Sequence, residues 1–201
     1  MSYRRVTTLG AKCFVSAKFW GRKRVDRTNR EYDIINSMNC QNVITVPTET
    51  VEGYAVALSS ESGIKELMRI KDRDFHSGKV FTLVPESKSA IKKYVLVSPL
   101  AEKLIDTYLP GELTLILPKN PNFHHFYYDH FETIGIRIPN HPIFKNLLAE
   151  NGALLLTSAN PRGGTPRSTT GHLPSTIIDL TKDQPTIIRQ GNLVIDLSNM
   201  I

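Results

Sequence analysis

Lys71 and Arg73, two cations two residues apart, close an amphipathic stretch. That placement suits a polyphosphate, because lysine brings a mobile point charge and arginine a bidentate fork. Three further segments set small polar or acidic side chains at strand ends: Pro47-Thr48-Glu49-Thr50-Val51, Pro110-Gly111-Glu112-Leu113-Thr114 and Thr157-Ser158-Ala159-Asn160. Hydroxyl and amide groups of this kind are ordinary partners for the phosphate and sugar oxygens of a nucleotide. Each piece alone has a plainer reading. A Lys-x-Arg at a helix C-terminus complements the helix dipole, and Ser-Ala-Asn after a strand is a common turn. In an α/β sheet, however, ligands gather where loops converge at strand ends.

The elements that must position these residues follow from periodicity. Tyr32, Ile34, Ile35 and Met38 suit one face of a short helix, and Val43 to Val46 reads as a strand stopped by Pro47. Tyr54 to Leu58 is a second strand. Ile64, Leu67, Met68 and Ile70 make an amphipathic helix that runs out at Lys71-Asp72-Arg73. A β-branched strand covers Val80 to Val84, and helices are expected near 87–95 and 98–108. Pro110-Gly111 turns the chain into a strand over Leu113 to Leu117. Residues 120–132, with Phe123, Phe126, Tyr127, Tyr128, Phe131 and three histidines, read as an irregular loop covering a core edge. Strands over Ile134 to Ile138 and Ala153 to Thr157 flank a helix over 141–150. After a Gly/Pro/Ser/Thr loop over 158–175, short strands are expected near 176–180, 186–189 and 193–196. Many strands interleaved with few helices predict one α/β domain with a mixed sheet. Arg137, a charge between apolar neighbours inside a strand, either faces a cavity or snorkels to the surface.

The 201 residues suffice for one domain plus a tail, and 40% hydrophobic against 22% charged residues exclude disordered and fibrous classes. The densest apolar stretch, Ala153 to Leu156, is strand-sized, so no membrane partner is expected. Two cysteines, Cys13 and Cys40, cannot build a disulfide framework, and no Cys/His cluster has zinc spacing. Both observations suit a reducing compartment. The histidines His124, His125 and His130 read as loop residues, not metal ligands, and Cys40 as a small packed apolar residue.

Charge is unevenly spread. Of the net +6, residues 1–30 hold +8, with nine Lys and Arg against Asp26 alone, while 31–201 carry −2. Three readings of residues 1–30 stay open: a basic arm touching nucleic acid, a mitochondrial-type presequence, and an extension without a role. The chain is expected to be cytoplasmic, or mitochondrial under the second reading.

Taken in order, the motifs resemble the YrdC/YwlC-like L-threonylcarbamoyladenylate synthases. The resemblance runs from about Tyr32 to Asn192. It rests on Pro47 to Gly53, Lys71-Asp72-Arg73, Leu109 to Thr114, Gly135-Ile136-Arg137-Ile138-Pro139 with His141-Pro142, Ser158-Ala159-Asn160, Ser175 to Asp179, and Ile188 to Gly191. It implies a single catalytic domain over 31–201, built on a twisted sheet of parallel and antiparallel strands with helices around a concave, positively charged cavity. It also implies synthesis of threonylcarbamoyl-AMP and pyrophosphate from L-threonine, bicarbonate and ATP, for threonylcarbamoyladenosine modification of tRNA. By the same resemblance Lys71 and Arg73 hold the ATP phosphates as catalytic groups, and Thr114, Ser158, Asn160 and Arg189 complete the nucleotide site. Thr48, Arg137 and Ser175 hold threonine. No protein-held metal is implied; Mg²⁺ comes with ATP and keeps most of its waters. The partners implied are the downstream tRNA threonylcarbamoyl transferase machinery and, through the basic arm, RNA or tRNA.

The chain departs from the family pattern at three places. Glu52 stands where Tyr is usual, Lys79-Val80-Phe81 is displaced by about one residue from the usual Lys-Pro-Leu, and only 14 residues separate Asn160 from Ser175. The missing layer is expected to open the nucleotide side of the cavity or expose a sheet edge. Two alternatives follow. One is a catalytically impaired protein of the same fold that binds double-stranded RNA or tRNA through the arm and concave face. The other is carbamoyl transfer from carbamoyl phosphate, as in hydrogenase maturation, where such domains usually sit within longer chains.

Overall fold

A computed structural model describes residues 42–161, 164–166, 168 and 171–197. The expected helix over 32–38, Cys40 and the basic segment 1–30 lie outside the described residues. Among the described residues eight strands run in chain order as β1 (Ile44–Val46), β2 (Gly53–Ala57), β3 (Thr82–Val84), β4 (Leu113–Pro118), β5 (Thr133–Ile136), β6 (Leu154–Ser158), β7 (Thr176–Asp179) and β8 (Thr186–Arg189). They form one sheet in the order β1-β2-β6-β3-β5-β4-β7-β8. The β3–β5 and β4–β7 pairs are parallel, and the other five are antiparallel.

Four helices accompany the sheet among the described residues: α1 (Glu61–Ile70), α2 (Ile91–Tyr94), α3 (Pro99–Tyr108) and α4 (Ile143–Asn151). Ser60 caps α1 by accepting from the Gly63 N–H at 3.2 Å, and Ser98 caps α3, whose first residue is Pro99. The end of α1 matters for the site. The Arg73 N–H bonds the Met68 carbonyl at 3.0 Å, and the Asp72 N–H bonds that of Arg69 at 3.2 Å. Between them Asp72 adopts φ +45°, a left-handed conformation that Asp tolerates better than most residues. This stop reverses the chain between Lys71 and Arg73.

The alternation of β4 and β5 divides the sheet into two faces. Leu113, Leu115, Leu117, Ile134 and Ile136 point into the larger core, with Leu67 of α1, Leu104 of α3 and the aromatic pair Tyr127 and Tyr128. That pair sits in the 120–132 segment, which forms a loop with one short 3₁₀ turn, Tyr128–His130. The Tyr128 hydroxyl donates to the Phe81 carbonyl at 3.0 Å, and the Phe81 N–H donates to the Tyr127 hydroxyl at 3.1 Å. On the opposite face α4 makes a smaller core with Ile44, Val46, Ala55, Val84 and Leu154. It covers the β1–β2–β6–β3 end, and among the described residues no helix covers the rest of that face.

Two sequence expectations are corrected. The helix near 87–95 is a single α-turn, Ile91–Tyr94, preceded by a turn in which Ser87 Oγ accepts from the Ala90 N–H at 3.2 Å. No strand forms over 193–196. There the Leu193 carbonyl is held by side chains, accepting from Thr176 Oγ1 at 2.6 Å and Gln190 Nε2 at 2.7 Å, while Ile195 is buried as an anchor.

Candidate active site

The uncovered face of the sheet is a cavity of about 530 Å³. Its floor follows the two-residue period: Thr114 and Ile116 from β4, Thr133 and Gly135 from β5, Thr82 from β3 and Ile177 from β7. A Cβ on Gly135 would lie 3.7 Å from Thr114 Cγ2 and 3.8 Å from Thr82 Oγ1, ordinary contact distances, so the glycine keeps the floor low without being sterically required. Among the described residues the rim carries Arg73, Lys79, Arg137 and Arg189, against one carboxylate, Glu52.

Seven of the nine residues singled out from the sequence line this cavity: Thr48, Arg73, Thr114, Arg137, Ser158, Ser175 and Arg189. Arg137 follows β5 and is 6% exposed. Its Nη2 donates to Glu49 Oε1 and to Thr50 Oγ1, each at 2.9 Å, and its Nε to the Gly111 carbonyl at 3.3 Å. Thr48 Oγ1 lies 3.0 Å from Thr50 Oγ1 and donates to the Val51 carbonyl at 2.7 Å. The turn after β1 is thus wired to Arg137. Glu49 Oε2 is buried and has no hydrogen-bond partner among the described residues.

Across the floor, Thr114 Oγ1 and Ser175 Oγ are 2.9 Å apart. Arg189 comes from the edge strand β8, yet its Nε and Nη2 reach back to the Ser175 carbonyl and hydroxyl at 2.9 and 3.1 Å. Desolvation and then the neighbouring Arg137 charge hold Arg189 below the ordinary arginine range. Arg189 therefore shares an electrostatic pole with Arg137 and Ser175, whereas the sequence reading grouped it with the nucleotide residues. Gly191 makes this corner: a Cβ there would stand 2.8 Å from the Thr176 nitrogen and still closer to the Pro174 carbonyl, so no side chain fits.

Lys71 and Asn160 sit behind the wall. Lys71 is 2% exposed, and its ammonium donates to the carbonyls of Ser158 and Asn160 and to Asn160 Oδ1. Burial, reinforced by the Arg73 charge, lowers its pKa to about 8. The Asn160 amide is turned to the carbonyls of Pro161 and Gly164. Arg73, released by the reversal at Asp72, lies over the Phe81 ring at 5.1 Å and faces the cavity. The sequence reading missed the floor residues Thr82, Thr133 and Gly135. The signal for Thr133 and Gly135 was the alternation Thr-Ile-Gly-Ile-Arg-Ile over 133–138, small or polar against aliphatic at every second residue.

Among the described residues no group of three or more His, Cys, Asp or Glu is placed to hold a metal ion, and no helix is long and apolar enough to cross a membrane.

The Sua5/YciO/YrdC family, described as telomere recombination, matches residues 36–173. A Yersinia pestis protein named threonylcarbamoyl-AMP synthase is 31% identical over 139 residues, covering 67% of this chain and 72% of its own length. A Methanocaldococcus jannaschii protein provisionally given the same name is 32% identical over 155 residues, covering 77% of this chain and 67% of its own. The solved structure of P. abyssi Sua5 in complex with L-threonine superposes with a TM-score of 0.67 at 24% identity, over 85% of this chain. This chain spans 56% of that protein's length.

Proposed function

The chain belongs to the Sua5/YciO/YrdC family, and from that premise we propose that it is a threonylcarbamoyl-AMP synthase. The observation that carries the reading is one cavity lined by the cations Arg73, Lys79, Arg137 and Arg189 together with the hydroxyls of Thr48, Thr114, Ser158 and Ser175. Two anionic groups must meet in this reaction. Bicarbonate and the amine of L-threonine give a carbamate with loss of water. A carbamate oxygen then attacks the α-phosphorus of ATP, and the bond to the β-phosphate oxygen breaks to release pyrophosphate. Neither reactant is intrinsically strong, so the protein's contribution is alignment and neutralisation of developing charge.

In this reading the triphosphate lies along Arg73 and Lys79, with Mg²⁺ brought by the nucleotide. Lys71 and Asn160 act from behind by shaping the turn that presents Ser158. Thr48, Arg137 and Ser175 receive the amino acid, and Thr114 and Arg189 join the two halves. The product is a mixed anhydride, suited to transfer onto an amine of tRNA by a separate cytoplasmic enzyme, where RNA contact belongs.

Pyrophosphate release from ATP tests the reading, with threonine and bicarbonate each present or omitted and Arg73→Ala alongside. Release that requires both co-substrates and falls at least about 100-fold in the variant supports it. Release indifferent to threonine overturns it.

A further inference from the structure

Among the described residues the cavity rim carries four cations and one acid, and that acid has no use in binding phosphate. Glu52 is half-buried on the wall. Among the described residues no hydrogen bond or ion pair engages its carboxylate. Glu49, three residues earlier, is committed to Arg137 at 2.9 Å and does not line the cavity. A carboxylate that shares a cavity with Arg73, Arg137 and Arg189 would weaken anion binding unless its partner arrives with a ligand.

Its backbone is fixed on both sides. Thr48 Oγ1 holds the Val51 carbonyl at 2.7 Å, and the Glu52 carbonyl accepts from the Ala159 N–H at 2.8 Å. Gly53 pairs with Ser158 so closely that a Cβ would stand 2.7 Å from Leu156 Cδ1. The carboxylate therefore extends from a rigid segment whose other end, Thr48 to Thr50, is hydrogen-bonded to Arg137. One loop thus ties together a wall cation and a wall anion, the complement of a zwitterion.

We propose that Glu52 is the ammonium-recognition residue of the amino-acid subsite. Arg137 takes the ligand's carboxylate and Glu52 its α-ammonium, so the cavity selects an α-amino acid over the corresponding hydroxy acid. This rests on the synthase reading and deepens it by naming the residue that recognises the amine. Charge-assisted contacts of this type set specificity by leaving a buried ion without a partner when the wrong ligand binds.

The test is calorimetric binding of L-threonine, of 2,3-dihydroxybutyrate (threonine with hydroxyl in place of ammonium), and of a non-hydrolysable ATP analogue to wild type and Glu52→Gln. The expected result is a loss of threonine affinity of about 10- to 100-fold in Glu52→Gln. The dihydroxy acid should bind weakly to both proteins, with the ATP analogue bound as well or better by the variant and the melting temperature unchanged. Threonine bound equally by both proteins overturns the proposal and leaves the synthase reading standing. So does a variant that gains only ATP affinity, which would make Glu52 a brake on phosphate binding. Wild type that binds the ATP analogue but no amino acid overturns both.

Discussion

Strands β4 and β5 carry two surfaces on one backbone. Leu115 and Ile136 face the large core and are fully buried; Thr114 and Gly135, their immediate neighbours, floor the cavity. The aliphatic face holds the sheet together through area removed from water. The other face keeps hydroxyls, a glycine and an arginine where a ligand can reach them. The fold's energy and the site's chemistry are thus separated by one residue of register, and a substitution should disturb one or the other according to parity.

Arg137 is where that separation should break first. It stands on the cavity side but is as buried as the core and ion-paired to Glu49. Arg137→Ala leaves the Glu49 carboxylate buried with neither oxygen partnered, and should cost about 3–5 kcal/mol as well as activity. Urea unfolding beside turnover measures both. Leu115→Ala sharpens the contrast: a loss of about 2–5 kcal/mol in unfolding free energy, with kcat/KM per folded molecule unchanged. Thr114→Val, one residue away, should cost no more than about 1.5 kcal/mol in stability yet reduce kcat/KM about tenfold, because the hydroxyl beside Ser175 is lost. Gly135→Val should leave the unfolding free energy within about 0.5–1 kcal/mol of wild type while raising KM for either substrate, since its methyls stand on the cavity floor.

The smallest effect concerns pH. Lys71 has a folded pKa of about 8, below its ordinary 10.5. Between those values the unfolded chain binds the extra proton, so this group's contribution to stability is flat below about pH 8 and rises from there to about 10.5. Denaturant midpoints of wild type and Lys71→Met across that window should diverge in this sense.

The fold was legible because its strands and its longer helices are strongly periodic. The amphipathic run through Ile64 and Leu67 and the Ser98-Pro99 start of α3 each specify an element locally. What was not legible depended on tertiary hydrogen bonding. Residues 193–196 look like a strand, but the Thr176 hydroxyl and the Gln190 amide take the Leu193 carbonyl that a ladder would have used. In the site, types and order singled out segments that the fold brings together, and seven of nine candidate side chains line the cavity. The divergence of Lys71 from Arg73 could not be read in advance, since it turns on the φ of Asp72, a residue compatible with either continuation. Glu49 binding Arg137 across 88 positions of sequence was equally hidden, because the sheet order that joins them is a property of the whole chain.

Arg189 has one more consequence. It belongs to β8, the outermost strand, paired on one side only and exposed at all four residues. Such a strand sits at the low end of the local-unfolding ladder, opening without the rest of the sheet. The stretch of cavity wall that carries Arg189 therefore stands on a strand able to open by itself. Amide hydrogens of Ile187 and Ile188 should exchange well before those of Leu115, and a ligand held by Arg189 should slow them selectively.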